Sequence, residues 1–471
     1  MGKLQTKGQL KKTFALSIAA QFISLCVSFV IGFVLPKQLP EYQYAYWQTF
    51  VMYSGYAGIL QFGILDGIVL RYSQYDYDEL PKDVMSSQFQ LLMGWLTGIS
   101  LVLYIIVSKL FFNESSGIMI CVCLSIITKH LFAFASYSYQ ITNRIKHYAV
   151  LVIVQRMVYA VMVIILLVFK IEGFVLYCIA ELVGDLISFV ISIKDNYEIY
   201  FSKMRSFAQA TREALINISS GIILMVANWA SMLFVGAAKM IIQWRWGMLL
   251  FGKISFAFSI TNLFLAFVNA LSVVLFPTLK RMNSDSLSGV YVEIRKAMSI
   301  FLFVIMAAYF PGCMILRIWI PKYADSLPYL GVLLPIIIYS SKVGMLTNNY
   351  LKAYREEKRM LLVNAVSITV GIVGYILTAY VFDSLTALLI MVNAAILMRS
   401  VLSEVIVMQI IRQSFYKDFI VEFLMTVGFI FSASLLNNIF GFVLYVCMLM
   451  VYLFVYKDSV SKLIMSFVGK K

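Results

Sequence analysis

The chain has 471 residues, a formal net charge of +15 and a mean hydropathy of +0.88; 62% of its residues are hydrophobic and only 13% charged. Apolar runs of about twenty residues recur from Phe14 to Tyr456, which excludes an ordinary soluble protein: runs of that length cross a hydrocarbon core of ~30 Å as helices, and they are far longer than the strands of a membrane barrel. The bases lie in short connections between the runs, so the positive charge reads as membrane topology and not as a nucleic-acid surface.

In chain order the pattern predicts an all-α integral membrane protein of about fourteen spans, at 13–35, 43–70, 86–108, 117–140, 148–169, 173–194, 213–238, 249–277, 297–316, 327–351, 360–381, 386–411, 419–436 and 438–456. The first run has no A-x-A-like cleavage site behind a short apolar core and is expected to remain as a span. The longest connections, 71–85, 195–212 and 278–296, are too short to hold a folded domain. With both termini on the cytoplasmic side, 26 of the 38 Lys and Arg fall in cytoplasmic segments, 7 outside and 5 within spans. That bias follows the positive-inside rule, and losing one span would scramble it. The six cysteines all lie in apolar runs without CxxC or metal spacing, and two histidines, His130 and His147, are too few for a metal centre. No cofactor is expected. The chain contains no P-loop, DxD, HExxH or Ser-x-x-Lys in a plausible context and no long outer loop, which argues against an enzyme such as a glycan polymerase.

A weak repeat sets "YQITNRIKHYAVLVIVQRMV" from Tyr139 against "YLKAYREEKRMLLVNAVSIT" from Tyr350, at an offset of 211 that also carries "KIEGFVL" onto "VFDSLTA". "YWQTF" from Tyr46 and "FGKIS" from Phe251 form a fainter pair at 205. The spacing predicts a lobe over 1–194, a second over 195–412 and an additional helix pair with a tail over 413–471. An even number of spans in each lobe makes them parallel repeats, an arrangement in which transporters place substrate between the halves.

Several stretches taken together resemble a known family. They are "SIAAQFISLCVSFVIGFVLPKQLPEYQYAYWQTF" with "LQFGILDGIVLRYSQY", "ALSVVLFPTLKRM", "PGCMILRIWIPKYADSLPYLGVLLP", and the segment from Asn348 through span eleven. In order and spacing they resemble the polysaccharide exporters of the multidrug/oligosaccharidyl-lipid/polysaccharide (MOP) superfamily, the Wzx-type O-antigen or repeat-unit flippases. The chain departs from the family at Ile320-Pro321-Lys322-Tyr323, where a glycine is usual. The resemblance implies a flippase that moves undecaprenyl-pyrophosphate-linked oligosaccharide across the bacterial cytoplasmic membrane. It also implies two six-helix lobes around a cationic cavity, and drive by an ion gradient (H+ or Na+) in place of ATP. Drug, metabolite or peptidoglycan-precursor export on the same fold is the alternative.

A charge at mid-membrane costs roughly 2.5–3.5 kcal/mol on insertion scales, so those that persist face water, a partner or a substrate. The intramembrane bases are Lys129 in span four, Arg156 in span five, Lys253 in span eight, Lys342 in span ten and Arg399 in span twelve. They are candidates to line the cavity and hold phosphate or acidic sugar, Arg156 and Lys342 foremost; interhelical pairing or snorkelling is the competing reading. The acids Asp66, Glu181, Asp185 and Glu404 are candidates for ion coupling or ion pairing, and Asp66 is expected to pair with Arg71. Asn228, Asn364 and Asn393, in spans seven, eleven and twelve, suit interhelical hydrogen bonds, with help in binding a coupling cation as the competing reading.

Overall fold

In a computed structural model, residues 7–110, 115–280, 284–434 and 438–461 are described, and all of the apolar runs are helical. In lipid, a helix satisfies its own backbone groups, which is why each run takes this form. The helices are α1 (Lys7–Gln38), α2 (Glu41–Tyr56), α3 (Ile64–Tyr72), α4 (Lys82–Leu110), α5 (Ser115–Ile141), α6 (Ile145–Val168), α7 (Phe174–Phe201), α8 (Phe207–Trp246) and α9 (Met248–Lys280). They continue as α10 (Ser284–Met306), α11 (Tyr309–Trp319), α12 (Leu327–Leu333), α13 (Ile336–Ser341), α14 (Asn348–Ala353), α15 (Glu357–Ile376), α16 (Leu385–Ile411), α17 (Tyr416–Ser434) and α18 (Asn438–Val455). Among the described residues, ten helices are long and apolar enough to cross a membrane, and twelve if each of two bent pairs is one span. The remaining two runs are α17, which carries Lys417, Asp418 and Glu422, and the short α18. The protein is an integral membrane protein.

The chain divides into two compact units, Met1–Trp229 and Ala230–Lys471. In the first, α4, α5 and α7 pack around Phe89, Phe134, Phe189 and Tyr200, whose rings lie 5.0 to 6.1 Å apart. In the second, Phe310, Phe429 and Tyr445 join α11, α17 and α18, with ring centroids 5.0 to 6.1 Å apart.

The second span is broken where Phe62 and Gly63 take φ of 51° and 84°, and α2 with its 3₁₀ extension meets α3 at 55°. Glycine is needed at 63 for two reasons. Its φ is left-handed, and an added Cβ would lie 2.8 Å from the backbone of Gly221 and Ile222 on α8. A Cβ on Gly67, one turn further, would collide with the Asn217 carbonyl oxygen, so α3 and the first half of α8 meet backbone to backbone. The tenth span is broken at Pro335, where α12 gives way to α13 with a 50° bend.

The stretches set against each other at the offset of 211 end their helices in turns of the same kind. Asn143 (φ 53°) ends α5 with Arg144 N donating to Tyr139 O at 2.8 Å. Arg355 (φ 58°) ends α14 with Glu356 N donating to Leu351 O, also at 2.8 Å. Both are Schellman turns, and they recur 212 residues apart, one more than the offset read from the letters. The next turns centre on Lys170 and Asp383, 213 apart. A π-helical segment over Leu377–Val381 lies just before the second of these, and a π-bulge carries one extra residue.

Candidate functional site

In the first unit, polar side chains of α5, α6 and α7 converge. Lys129 Nζ donates to Glu181 Oε1 at 2.6 Å. Glu181 and Asp185 are four apart on α7 and share one face. Gln155 Nε2 on α6 donates to Asp185 Oδ1 at 3.0 Å. Gly184 makes that approach feasible, because a Cβ there would sit 2.9 Å from the Gln155 carbonyl oxygen. Asp185 is 2% exposed, and its Oδ2 has no hydrogen-bond partner among the described residues. Arg156, the neighbour of Gln155, is half-buried and within electrostatic range of both acids. It is the cation of this cluster with no hydrogen bond or ion pair to a described residue.

The second unit holds a different arrangement. Arg295 on α10 is 1% exposed and donates through Nε to Glu404 on α16, through Nη1 to Asp418 at 3.0 Å and through Nη2 to Glu422 at 3.3 Å, both on α17. Lys342, also 1% exposed, lies 2.7 Å from both Glu404 and Glu422. Ser299 donates to Glu422 at 2.8 Å and Tyr456 to Asp418 at 2.6 Å. The Arg295 guanidinium also lies over the rings of Phe415 (4.9 Å) and Phe419 (5.3 Å). Lys342 opens the π-helical segment Lys342–Thr347. Two bases are thus shared among three acids, and the network joins α10, the tenth span, α16 and α17.

The other expected residues stand apart from both clusters. Arg399 is 4% exposed; its Nε donates to Asn364 Oδ1 at 2.7 Å, and its guanidinium lies 5.4 Å from the Phe234 ring centre. Lys253 lies 3.7 Å from Asp325, whose side chain is 86% exposed, a geometry that screens the pair. Asn393 Nδ2 donates to Val332 O at 2.7 Å.

Asp66 is buried in the first turn of α3. The expected Asp66–Arg71 pair does not form: Arg71 reaches Glu213 and Asn217 on α8, each at 2.6 Å, and Tyr72 donates to the same Glu213 at 2.7 Å. Five residues on a helix put two side chains on different faces, so Asp66 and Arg71 have separate neighbours.

Arg295, Glu422 and Gln155 were not among the expected site residues. Arg295 counted as a loop base because the ninth span was expected to begin at 297, whereas α10 begins at Ser284. Glu422 did leave a signal, an acid inside the thirteenth run four residues after Asp418.

No family model matches the chain, and no curated protein matches it. Solved structures do. An inward-facing multidrug resistance MATE family transporter of the MOP superfamily aligns with a TM-score of 0.63 at 10% identity, covering 83% of this chain and 98% of the transporter. The lipid II flippase MurJ, in an inward closed conformation, aligns with a TM-score of 0.61 at 12% identity, covering 95% of this chain and 100% of MurJ. An outward-facing MATE transporter aligns at 0.56 and 12% identity, covering 85% of this chain and 96% of its own. The chain therefore has the fold of MOP superfamily transporters.

Proposed function

We propose that the protein is a flippase. Its substrate is an undecaprenyl-pyrophosphate-linked oligosaccharide repeat unit, carried across the bacterial cytoplasmic membrane by alternating access and driven by an ion gradient. The observation that carries the reading is the distribution of satisfied charge. Glu181, Glu404 and Glu422 are each ion-paired to a base inside the protein, which leaves them poorly placed to receive an organic cation. Arg156 keeps its five donors for a ligand, and a guanidinium binds phosphate oxygens in a bidentate fork. Lys129 holds Glu181 and orients the cluster. Asp185, whose buried Oδ2 has no hydrogen-bond partner among the described residues and which lies within electrostatic range of Arg156, is the group assigned to the coupling proton or sodium ion. Coverage of nearly the whole chain by a lipid II flippase is consistent with a lipid-linked cargo, and it keeps peptidoglycan precursor as the second reading.

Depletion of the protein in the cell tests the proposal. Lipid-linked repeat units should accumulate on the cytoplasmic leaflet, and surface glycan should fall. Unchanged export in a deletion strain lacking a paralogue would end the proposal, and accumulation of lipid II in place of repeat units would favour the second reading.

A further inference from the structure

A cation that the charge pattern places in an outer loop is buried. Lys239 lies about two turns before the end of α8 and is 9% exposed, and its ammonium sits 5.5 Å from the centre of the Phe251 ring on α9. No carboxylate among the described residues lies within ion-pair distance, and the aromatic face leaves its charge uncompensated. Burying such a charge costs several kcal/mol unless something opposite meets it. The sequence provides nothing nearby in the chain: no Asp or Glu occurs between Glu213 and Asp285, a stretch that covers most of α8 and all of α9. The two other bases near the α8–α9 turn each have an acid from another element. Arg245 pairs with Asp383 at 2.9 Å, and Lys253 with Asp325 at 3.7 Å. One turn past Phe251 on the same face of α9, the fully buried Ser255 has a hydroxyl with no hydrogen-bond partner among the described residues. A buried cation, a spare hydroxyl and an acid-free hairpin are the features of a site for an anion.

We infer that Lys239 is a binding residue for a phosphate-class oxyanion at the α8–α9 hairpin. The inference rests on the flippase reading only for where such an anion comes from, the pyrophosphate of the cargo or the phosphate of a membrane lipid. Lys239 supplies the point charge, the Phe251 face fixes the ammonium, and Ser255 supplies one donor.

Full-length protein in phosphatidylcholine nanodiscs, titrated with inorganic pyrophosphate by calorimetry, tests this. The wild type should bind. Lys239→Met should weaken binding at least tenfold, Lys239→Arg should stay within about threefold of wild type, and Arg245→Met should bind as wild type does. A second arm compares melting temperatures in discs with and without phosphatidylglycerol. If the wild type ignores pyrophosphate but is stabilised by phosphatidylglycerol in a way that Lys239→Met abolishes, the anion is the lipid's. Equal binding by wild type and Lys239→Met in both arms, or no response of the wild type in either, overturns the inference. Melting temperatures without ligand show whether Lys239→Met is folded; should it not be, a binding response by Lys239→Gln equal to that of wild type overturns the inference equally. Loss of pyrophosphate binding in Lys239→Met, together with glycan export that survives depletion of the protein, would retain the site and sink the flippase reading.

Discussion

Arg295→Met should leave little folded protein in the membrane. The substitution keeps most of the side-chain volume and removes the group that meets three carboxylates at once. Lys342 alone then faces Glu404 and Glu422, Asp418 keeps only its hydrogen bond from Tyr456 among the described residues, and breaking a buried ion pair by deleting one partner costs about 3–5 kcal/mol. Total stabilities of about 5–15 kcal/mol make that a large fraction. Glu422→Gln, introduced into the Arg295→Met background, should recover part of the loss because it removes one stranded charge. Yield and melting temperature of the purified single and double variants check this. A double variant no more stable than Arg295→Met would mean that the acids are not held by that guanidinium. The network also explains how α17 is fixed, since Asp418 and Glu422 anchor it to α10 and to the tenth span.

Arg156→Ala should behave in the opposite way, with normal folding and lost transport. The side chain is half-buried and makes no hydrogen bond or ion pair to a described residue, so truncation should change stability little. A charge-assisted hydrogen bond is worth about 1.5–3 kcal/mol, which corresponds to a transport rate lower by roughly tenfold to a hundredfold. Arg156→Lys should recover part of it, since an ammonium keeps the charge and loses the fork. The check is initial transport rate normalised to membrane protein. Wild-type rates for Arg156→Ala would remove this residue from the substrate path.

The fold could be read from hydropathy and the spacing of bases because both act on whole runs. Lipid forces each apolar stretch into a helix, and the repeat shows in turns such as those at Asn143 and Arg355, whose left-handed residue ends the helix at the same step. Local irregularities escaped the pattern. The extra residue of the π segment Leu377–Val381 shifts the register without changing composition, and it lies between the turns at Arg355 and Asp383, where the spacing grows from 212 to 213. The site was only partly legible. Spacing of four placed Glu181 and Asp185 on one face but could not say that Lys129 would take the first and Gln155 the second. Lys342 and Glu404 were both visible as intramembrane charges. Their pairing belongs to a network completed by Arg295, which the expected span boundary puts outside the membrane. Lys239 shows the same limit, since a base near the end of a run reads as a loop anchor until its burial is known.

Movement of a pyrophosphate-linked glycan across the bilayer is measured directly by leaflet sidedness. Purified protein would be reconstituted into liposomes carrying undecaprenyl-pyrophosphate-linked oligosaccharide, and the fraction of glycan reachable by an impermeant enzyme followed under an imposed proton or sodium gradient. Wild type should give gradient-dependent exchange between leaflets, and Arg156→Ala strongly slowed exchange. Exchange no faster than in protein-free liposomes under either gradient, from protein shown to be folded, would contradict the flippase reading.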